Sequence, residues 1–314
     1  MSEENQKVHE VVVVGSGPAG WTGAVYTARA GLEPVVLAGT LEAGGALMNT
    51  TEVENFPGFP EAVLGPDLMD KMQAQAERFG ADVRYEDATE LDLTGEIKKI
   101  TTDDETYLAK SVILALGSEY KKLGLEGEKT YSGKGVSYCA TCDGFFFKDK
   151  EIVVVGGGDS AATEALFLAR FGTTVHVIHR RDELRASKIM ADRMLSNDKI
   201  QMHWNSRVVD LHGEGKLESV TLEDTKTGTQ TELPASGLFV AIGHEPRSGV
   251  VSGQINLDEN GYILADEPST ATNLPGVFAC GDVVDHHYRQ AITAAGTGCK
   301  AALDAQAYLE SLEG

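Results

Sequence analysis

Hydrophobic positions along the chain fall into two matching runs. Residues 11–14 are four consecutive valines. An unbroken β-branched run of this kind predicts a parallel strand buried on both faces. It leads into Gly15-Ser16-Gly17-Pro18-Ala19-Gly20. Residues 21–30 then have a helical pattern closed by Gly31, and residues 35–37 read as a second strand. The same order returns later. Residues 152–155 predict a strand and Gly156-Gly157-Gly158-Asp159-Ser160-Ala161 a turn. A helix follows over about 162–171, stopped by Gly172, and then a strand over 174–178. Between the two runs, residues 65–79 place Leu68, Met72, Ala76 and Phe79 on one helical face, with Gly80 as terminator. Residues 82–86, 96–101 and 105–109 read as short antiparallel strands, and 112–116 as another buried strand ending at Gly117. Residues 186–236 alternate between helix-like and strand-like stretches. Residues 238–242 predict a last strand of the second run, 243–249 a hinge, and 276–282 a strand entering a tight turn. An Ala-rich helix closes the chain, from about 288 to 312.

Each Gly-rich hexapeptide is G-x-G-x-x-G or G-x-G-x-x-A between a strand and a helix. Glycines there permit a tight turn and close approach of a pyrophosphate, which then sits on the helix N-terminus. The pattern predicts an α/β fold with two nucleotide-binding units. The first unit lacks one part of the fingerprint. An acid for a ribose is expected at the end of the second strand, where Ala38-Gly39-Thr40 stands, and Glu42 comes slightly late. The connection over 44–58 carries Gly44, Gly45, Ala46, Leu47 and Asn55. It is long enough for a loop folded over a cofactor, and a plain surface loop is the alternative. After the second unit's second strand come His179, Arg180, Arg181 and Arg185. Guanidinium groups pair with a 2′-phosphate in fork geometry, so this cluster favours NADPH over NADH. A solvated basic patch is the alternative.

Composition narrows the class. The 314 residues suffice for roughly two domains, and 42% hydrophobic content supports real cores. A formal charge of −21 argues against nucleic acid and against anionic membrane surfaces. The first ten residues are polar, without the apolar core of a secretory signal. No apolar run approaches the ~18 residues of a spanning helix. A soluble cytoplasmic protein is expected. Of four cysteines, Cys280 and Cys299 stand apart, whereas Cys139-Ala140-Thr141-Cys142-Asp143-Gly144 sets two thiols two residues apart beside an acid. Such a pair can close a small disulfide, and near a βαβ pattern it reads as a redox centre. Half a zinc site, or two buried cysteines, are the alternatives. No second Cys/His pair at ligand spacing accompanies it, so no metal is expected.

Residues 15–20, 51–58, 139–144, 156–161, 179–185 and 281–291, in this order, resemble the bacterial-type low-molecular-weight thioredoxin reductases over nearly the whole chain. The resemblance implies two Rossmann-like domains, an NADPH domain (118–248) inserted in an FAD domain (1–117 and 249–314). FAD would lie on Gly15, Ser16, Gly17, Pro18, Ala19 and Gly20. Gly44, Gly45, Ala46, Leu47, Asn55, Gly281, Asp282, Arg289, Gln290 and Ala291 would surround it. NADPH would meet Gly156, Gly158, Asp159, Ser160, His179, Arg180, Arg181 and Arg185. The resemblance further implies a homodimer, thioredoxin as partner, and a rotation of one domain between half-reactions. It makes Cys142 the flavin-proximal thiol, Cys139 the thiol that attacks the partner, and Asp143 the acid for the leaving thiolate; a helix cap is a compatible role for Asp143. Two residues depart from the family pattern: Ala46 stands where many members carry Gln, and Thr163 where a Glu commonly follows the second turn. Rival readings are a flavoenzyme of the same build serving another disulfide protein, such as a glutaredoxin-like or peroxidase partner, and a flavin-based redox sensor.

Overall fold

The computed structural model describes residues 7–41, 43–50 and 52–313. Glu42 and Thr51 lie outside the described residues. The chain divides into two compact units, Met1–Glu119 with Glu245–Gly314, and Tyr120–His244. The mixed α/β fold is thus a Rossmann-like unit interrupted by a second one.

In the first unit, strand Val8–Val14 is flanked by the parallel strands Val35–Leu37 and Thr106–Leu114. Val11 and Val13 face one side of the sheet, with Trp21, Ala24, Leu68, Ala301 and Ala305 of the helices Pro18–Arg29, Gly65–Arg78 and Ala291–Leu312. Val12 and Val14 face the other, with Leu91, Ile100, Tyr107, Val251 and Ile255. Both faces are covered, which is why the run is valine throughout rather than alternating. The first and last helices approach closely. A Cβ on Gly298 would lie 2.1 Å from the Ala19 carbonyl oxygen, so glycine there sets the interhelical distance.

Two expectations for this unit are corrected. Asp82–Arg84 is not antiparallel; it extends the parallel sheet beside Val35–Leu37. Residues 105–109 and 112–116 are not two strands. Thr106–Leu114 is one, running parallel to Val8–Val14 along one edge. Its other edge pairs antiparallel with Lys98–Thr101 through residues 106–109, then parallel with Val277–Ala279 through residues 112–114.

The second unit has five parallel strands, in the order Val136–Ser137, Gly237–Val240, Glu151–Val155, Thr174–Ile178, Ile200–His203. Helices Asp159–Leu168 and Lys188–Leu195 cover one face, over Ile152, Val154, Val175 and Val177. The antiparallel strands Ser206–His212, Ser219–Asp224 and Gln230–Pro234 cover the other, over Val153, Val155 and Ile178. Where a hinge is expected at 243–249, strand His244–Pro246 pairs with Ser118–Tyr120 in a two-stranded ribbon. Gly117 and Gly243 beside it have φ of +72° and +103°.

Candidate active site

Cys139 and Cys142 are joined by a disulfide with Cα atoms 5.3 Å apart. Strand Val136–Ser137 ends just before the pair, and Cys139 is the N-cap of the single turn Ala140–Asp143. The amides of Cys142 and Asp143 both donate to the Cys139 carbonyl, at 3.3 and 3.1 Å. This turn brings Asp143 back to the strand end, where the buried Ser137 hydroxyl donates to its Oδ2 at 2.6 Å. Burial pushes the Asp143 carboxyl above its usual range, and the Ser137 hydrogen bond opposes that rise. A carboxyl held up in this way can carry a proton next to sulfur chemistry. The Thr141 hydroxyl lies 3.3 Å from the Cys139 sulfur. Tyr138, between the strand and the pair, donates to Glu128, whose carboxylate also accepts the amides of Leu123, Gly124 and Leu125.

The two Gly-rich turns are built alike at their first and third glycine-bearing positions. Gly15 N–H bonds to the Leu37 carbonyl and Gly156 N–H to that of Ile178, each at the end of the unit's second strand. A Cβ on Gly15 would lie 2.2 Å from the Ala115 oxygen; on Gly156, 2.4 Å from the Ala241 oxygen. These glycines sit where the neighbouring strands end, the crevice in which doubly wound sheets bind ligands. Gly17 and Gly158 are the helix N-caps, both in extended conformation with no side chain capping them. A Cβ at either would meet nothing within 4 Å. Both helix N-termini thus lack a side-chain cap and have open space at the N-cap, a fit for pyrophosphate on both turns.

Other expected residues of the first unit gather at its turn. Ser16 is buried, donating to the Ala38 carbonyl and accepting from the Gly44 amide; its hydroxyl is a brace. A Cβ on Gly45 would lie 3.2 Å from the Gly17 Cα, so Gly44 and Gly45 border the open side of the turn. Gly281, at φ +75°, packs on Ala19, and its amide bonds to Thr297 Oγ1. Asn55 Nδ2 donates to Gln290 Oε1 at 3.2 Å, tying the long loop to the start of the last helix. Asp285 accepts the amides of His287, Tyr288 and Arg289, shaping the loop that carries Arg289. Burial pushes the Asp282 carboxyl up to about 6; Asp285 adds to the rise and Arg289 opposes it. Ala46 is exposed. At the end of the second strand, Thr40 N–H bonds to Asp87, a carboxylate 47 residues away in sequence.

In the second unit the Arg loop is fastened to its turn. The amides of Arg185 and Ala186 both donate to the Gly157 carbonyl, and Ser187 N–H donates to Asp159 Oδ1. Arg180, Arg181 and Arg185 are exposed. His179 is not. Its ring is buried behind Gly157, where a Cβ would lie 2.2 Å from it, and its Nε2 contacts the Glu183 carbonyl at 2.9 Å. Its place is behind the turn and not among the exposed cations.

Sequence reasoning did not single out Ser137, Glu128, Thr297 or Asp87. Ser137, two residues ahead of the first cysteine, is the one that position along the chain could have found.

The model of the pyridine nucleotide-disulphide oxidoreductase family matches residues 9–298. A thioredoxin reductase of Streptomyces clavuligerus is 60% identical over 97% of this chain and 95% of its own. The chain belongs to this family, among its low-molecular-weight thioredoxin reductases. It is an oxidoreductase, and membership implies a flavin and a pyridine nucleotide as cofactors. A Mycobacterium leprae relative, 53% identical over 97% of this chain and 67% of its own, is named a bifunctional thioredoxin reductase/thioredoxin. The solved thioredoxin reductase of Streptococcus pyogenes matches 98% of this chain and all of its own, with TM-score 0.92 and 40% identity. Among the described residues, no helix is long and apolar enough to cross a membrane, and no group of three or more His, Cys, Asp or Glu side chains is placed to hold a metal ion.

Proposed function

We propose that the chain is an NADPH-dependent thioredoxin-disulfide reductase containing FAD. The observation that carries this reading is the Cys139–Cys142 disulfide with Asp143 next to it in the chain, in the same unit as the turn fastened to the loop that carries three exposed arginines. The first unit would hold FAD, through the Gly17 N-cap, Gly44, Gly45 and the Gly281–Asp282 turn. The second would hold NADPH, through the Gly158 N-cap, with Arg180, Arg181 and Arg185 on the 2′-phosphate. Bound flavin supplies the two-electron relay between nicotinamide and disulfide.

The chain's own residues complete the exchange. In the dithiol state, the Cys139 thiolate attacks one sulfur of the partner disulfide, and that S–S bond breaks. The departing partner sulfur takes a proton from Asp143, and the Asp143 carboxylate then accepts the Cys142 thiol proton. The Cys142 thiolate attacks Cys139, re-forming Cys139–Cys142 and releasing the second partner sulfur, which is protonated in turn. Two electrons have left the dithiol and two partner thiols have formed. The Mycobacterium leprae relative, whose name joins both activities in one chain, supports thioredoxin as the partner.

NADPH oxidation measured against a panel of oxidised thioredoxins, glutaredoxins and peroxidases tests the reading. Sustained turnover with a thioredoxin is expected. Turnover only with another panel member would reassign the partner, and a single slow reduction would point to a sensor. The family resemblance also carries the expectation of a cytoplasmic homodimer, which sedimentation of the holoenzyme checks for assembly.

A further inference from the structure

Ser137 ends a strand whose backbone is fixed by pairing with Gly237–Val240, Ser137 opposite Phe239. Its buried hydroxyl has three polar neighbours. It accepts the Cys139 amide at 3.1 Å, lies 2.6 Å from Asp143 Oδ2, and lies 3.4 Å from the Cys139 carbonyl. A hydroxyl has one proton and two lone pairs. The Cys139 amide takes one lone pair. The proton then has two directions, Asp143 or the Cys139 carbonyl. That carbonyl already accepts the amides of Cys142 and Asp143, and the distance to it is longer by most of an ångström. The proton therefore points at Asp143. Among the described residues, no other donor is hydrogen-bonded to that carboxylate.

We infer that Ser137 is a positioning residue for Asp143, committing Oδ2 as an acceptor so that the transferable proton is held on Oδ1. This rests on the reading of Asp143 as the acid of disulfide exchange. A carboxyl that accepts on one oxygen keeps its own proton on the other. Without the Ser137 donor, the proton could sit on either oxygen and the carboxyl could turn. The hydroxyl also sets acidity. A hydrogen bond donated to a carboxylate favours its charged form, whereas burial favours the neutral form. Burial prevails at Asp143, and Ser137 limits by how much. One hydroxyl thus fixes both which oxygen carries the proton and how readily it leaves, and through its other contact it is joined to the backbone of the attacking Cys139.

The test uses the oxidised holoenzyme and four variants. The carboxyl stretch of Asp143, identified by its loss in Asp143→Asn, is followed by infrared difference spectroscopy against pH. Ser137→Ala is expected to raise its midpoint by about one pH unit, from the loss of a hydrogen bond to a charged group. Ser137→Thr, which keeps the hydroxyl, stays near wild type. If the alanine variant does not fold, Ser137→Cys, close in size with a weaker donor, is expected to shift the midpoint the same way. The alkaline limb of the pH profile for disulfide reduction moves upward with the midpoint. A midpoint unmoved in Ser137→Ala, or in Ser137→Cys where the alanine variant does not fold, overturns the inference. Failure of the underlying reading looks different. An Asp143→Asn enzyme with wild-type rate and limb removes Asp143 as the acid, while the infrared titration still decides whether Ser137 controls its proton.

Discussion

At the scale of single residues, two predictions come from charge. Arg180, Arg181 and Arg185 are exposed on a loop fixed to the second turn, so their guanidinium groups are available to a phosphate. Replacing Arg180 and Arg181 by Ala is expected to raise the KM for NADPH roughly 10- to 100-fold, the range for charge-assisted hydrogen bonds. The KM for NADH should change little. Equal losses for both cofactors remove the 2′-phosphate assignment. Asp282 gives a pH dependence. Burial pushes its folded-state carboxyl up to about 6, above the ordinary value of about 4. The folded state therefore binds more protons than the unfolded state between these values, and the flavin-free protein loses stability as pH rises through that window. Thermal melts should show Asp282→Asn stabilised relative to wild type at pH 7 and not at pH 4; equal differences at both pH values contradict the assignment. The Cys pair, both turns and the Arg cluster are legible in sequence because each is a local word. The position of His179 is not, because burial behind Gly157 depends on where the following loop folds back. The brace role of Ser16 is hidden for the same reason: its partners are Ala38 and Gly44, distant along the chain.

At the scale of elements, glycines of one motif do different things. A Cβ on Gly17 meets nothing within 4 Å, while one on Gly20 would lie 1.9 Å from the Gly15 oxygen. Gly17→Ala is expected to leave the melting temperature of the flavin-free protein near wild type and to lower flavin content, since its cost falls on the ligand. Gly20→Ala is expected to destabilise the unit itself, by about 1–3 kcal/mol or more as overpacking does. Calorimetry with flavin quantitation separates the two; a stable, flavin-replete Gly17→Ala contradicts the cradle. The paired run of strand, turn, helix and strand is readable because period and punctuation repeat. Strand direction is not. Asp82–Arg84 has the same short pattern whether parallel or antiparallel, and only its long-range partner Val35–Leu37 decides. Likewise Thr106–Leu114 reads as two strands because its buried half begins midway, where one edge exchanges its partner.

At the scale of the whole molecule, chain order carries the argument. The disulfide and the proposed NADPH turn belong to Tyr120–His244, and the proposed flavin turn to the other unit. We propose that the inserted unit presents nicotinamide and disulfide to the flavin by turns, through the ribbon of Ser118–Tyr120 and His244–Pro246. Gly117 and Gly243 flank that ribbon at positive φ, where a side chain costs roughly 1–2 kcal/mol. Gly117→Ala with Gly243→Ala is expected to slow turnover while NADPH still reduces the flavin, and wild-type turnover contradicts the proposal. Whether electrons leave the flavin only through Cys139–Cys142 is decided by anaerobic stopped-flow on Cys142→Ser with NADPH and oxidised thioredoxin. Flavin bleaching at close to the wild-type rate and no thioredoxin reduction are expected. Continued thioredoxin reduction by this variant would mean that electrons reach the partner by another route.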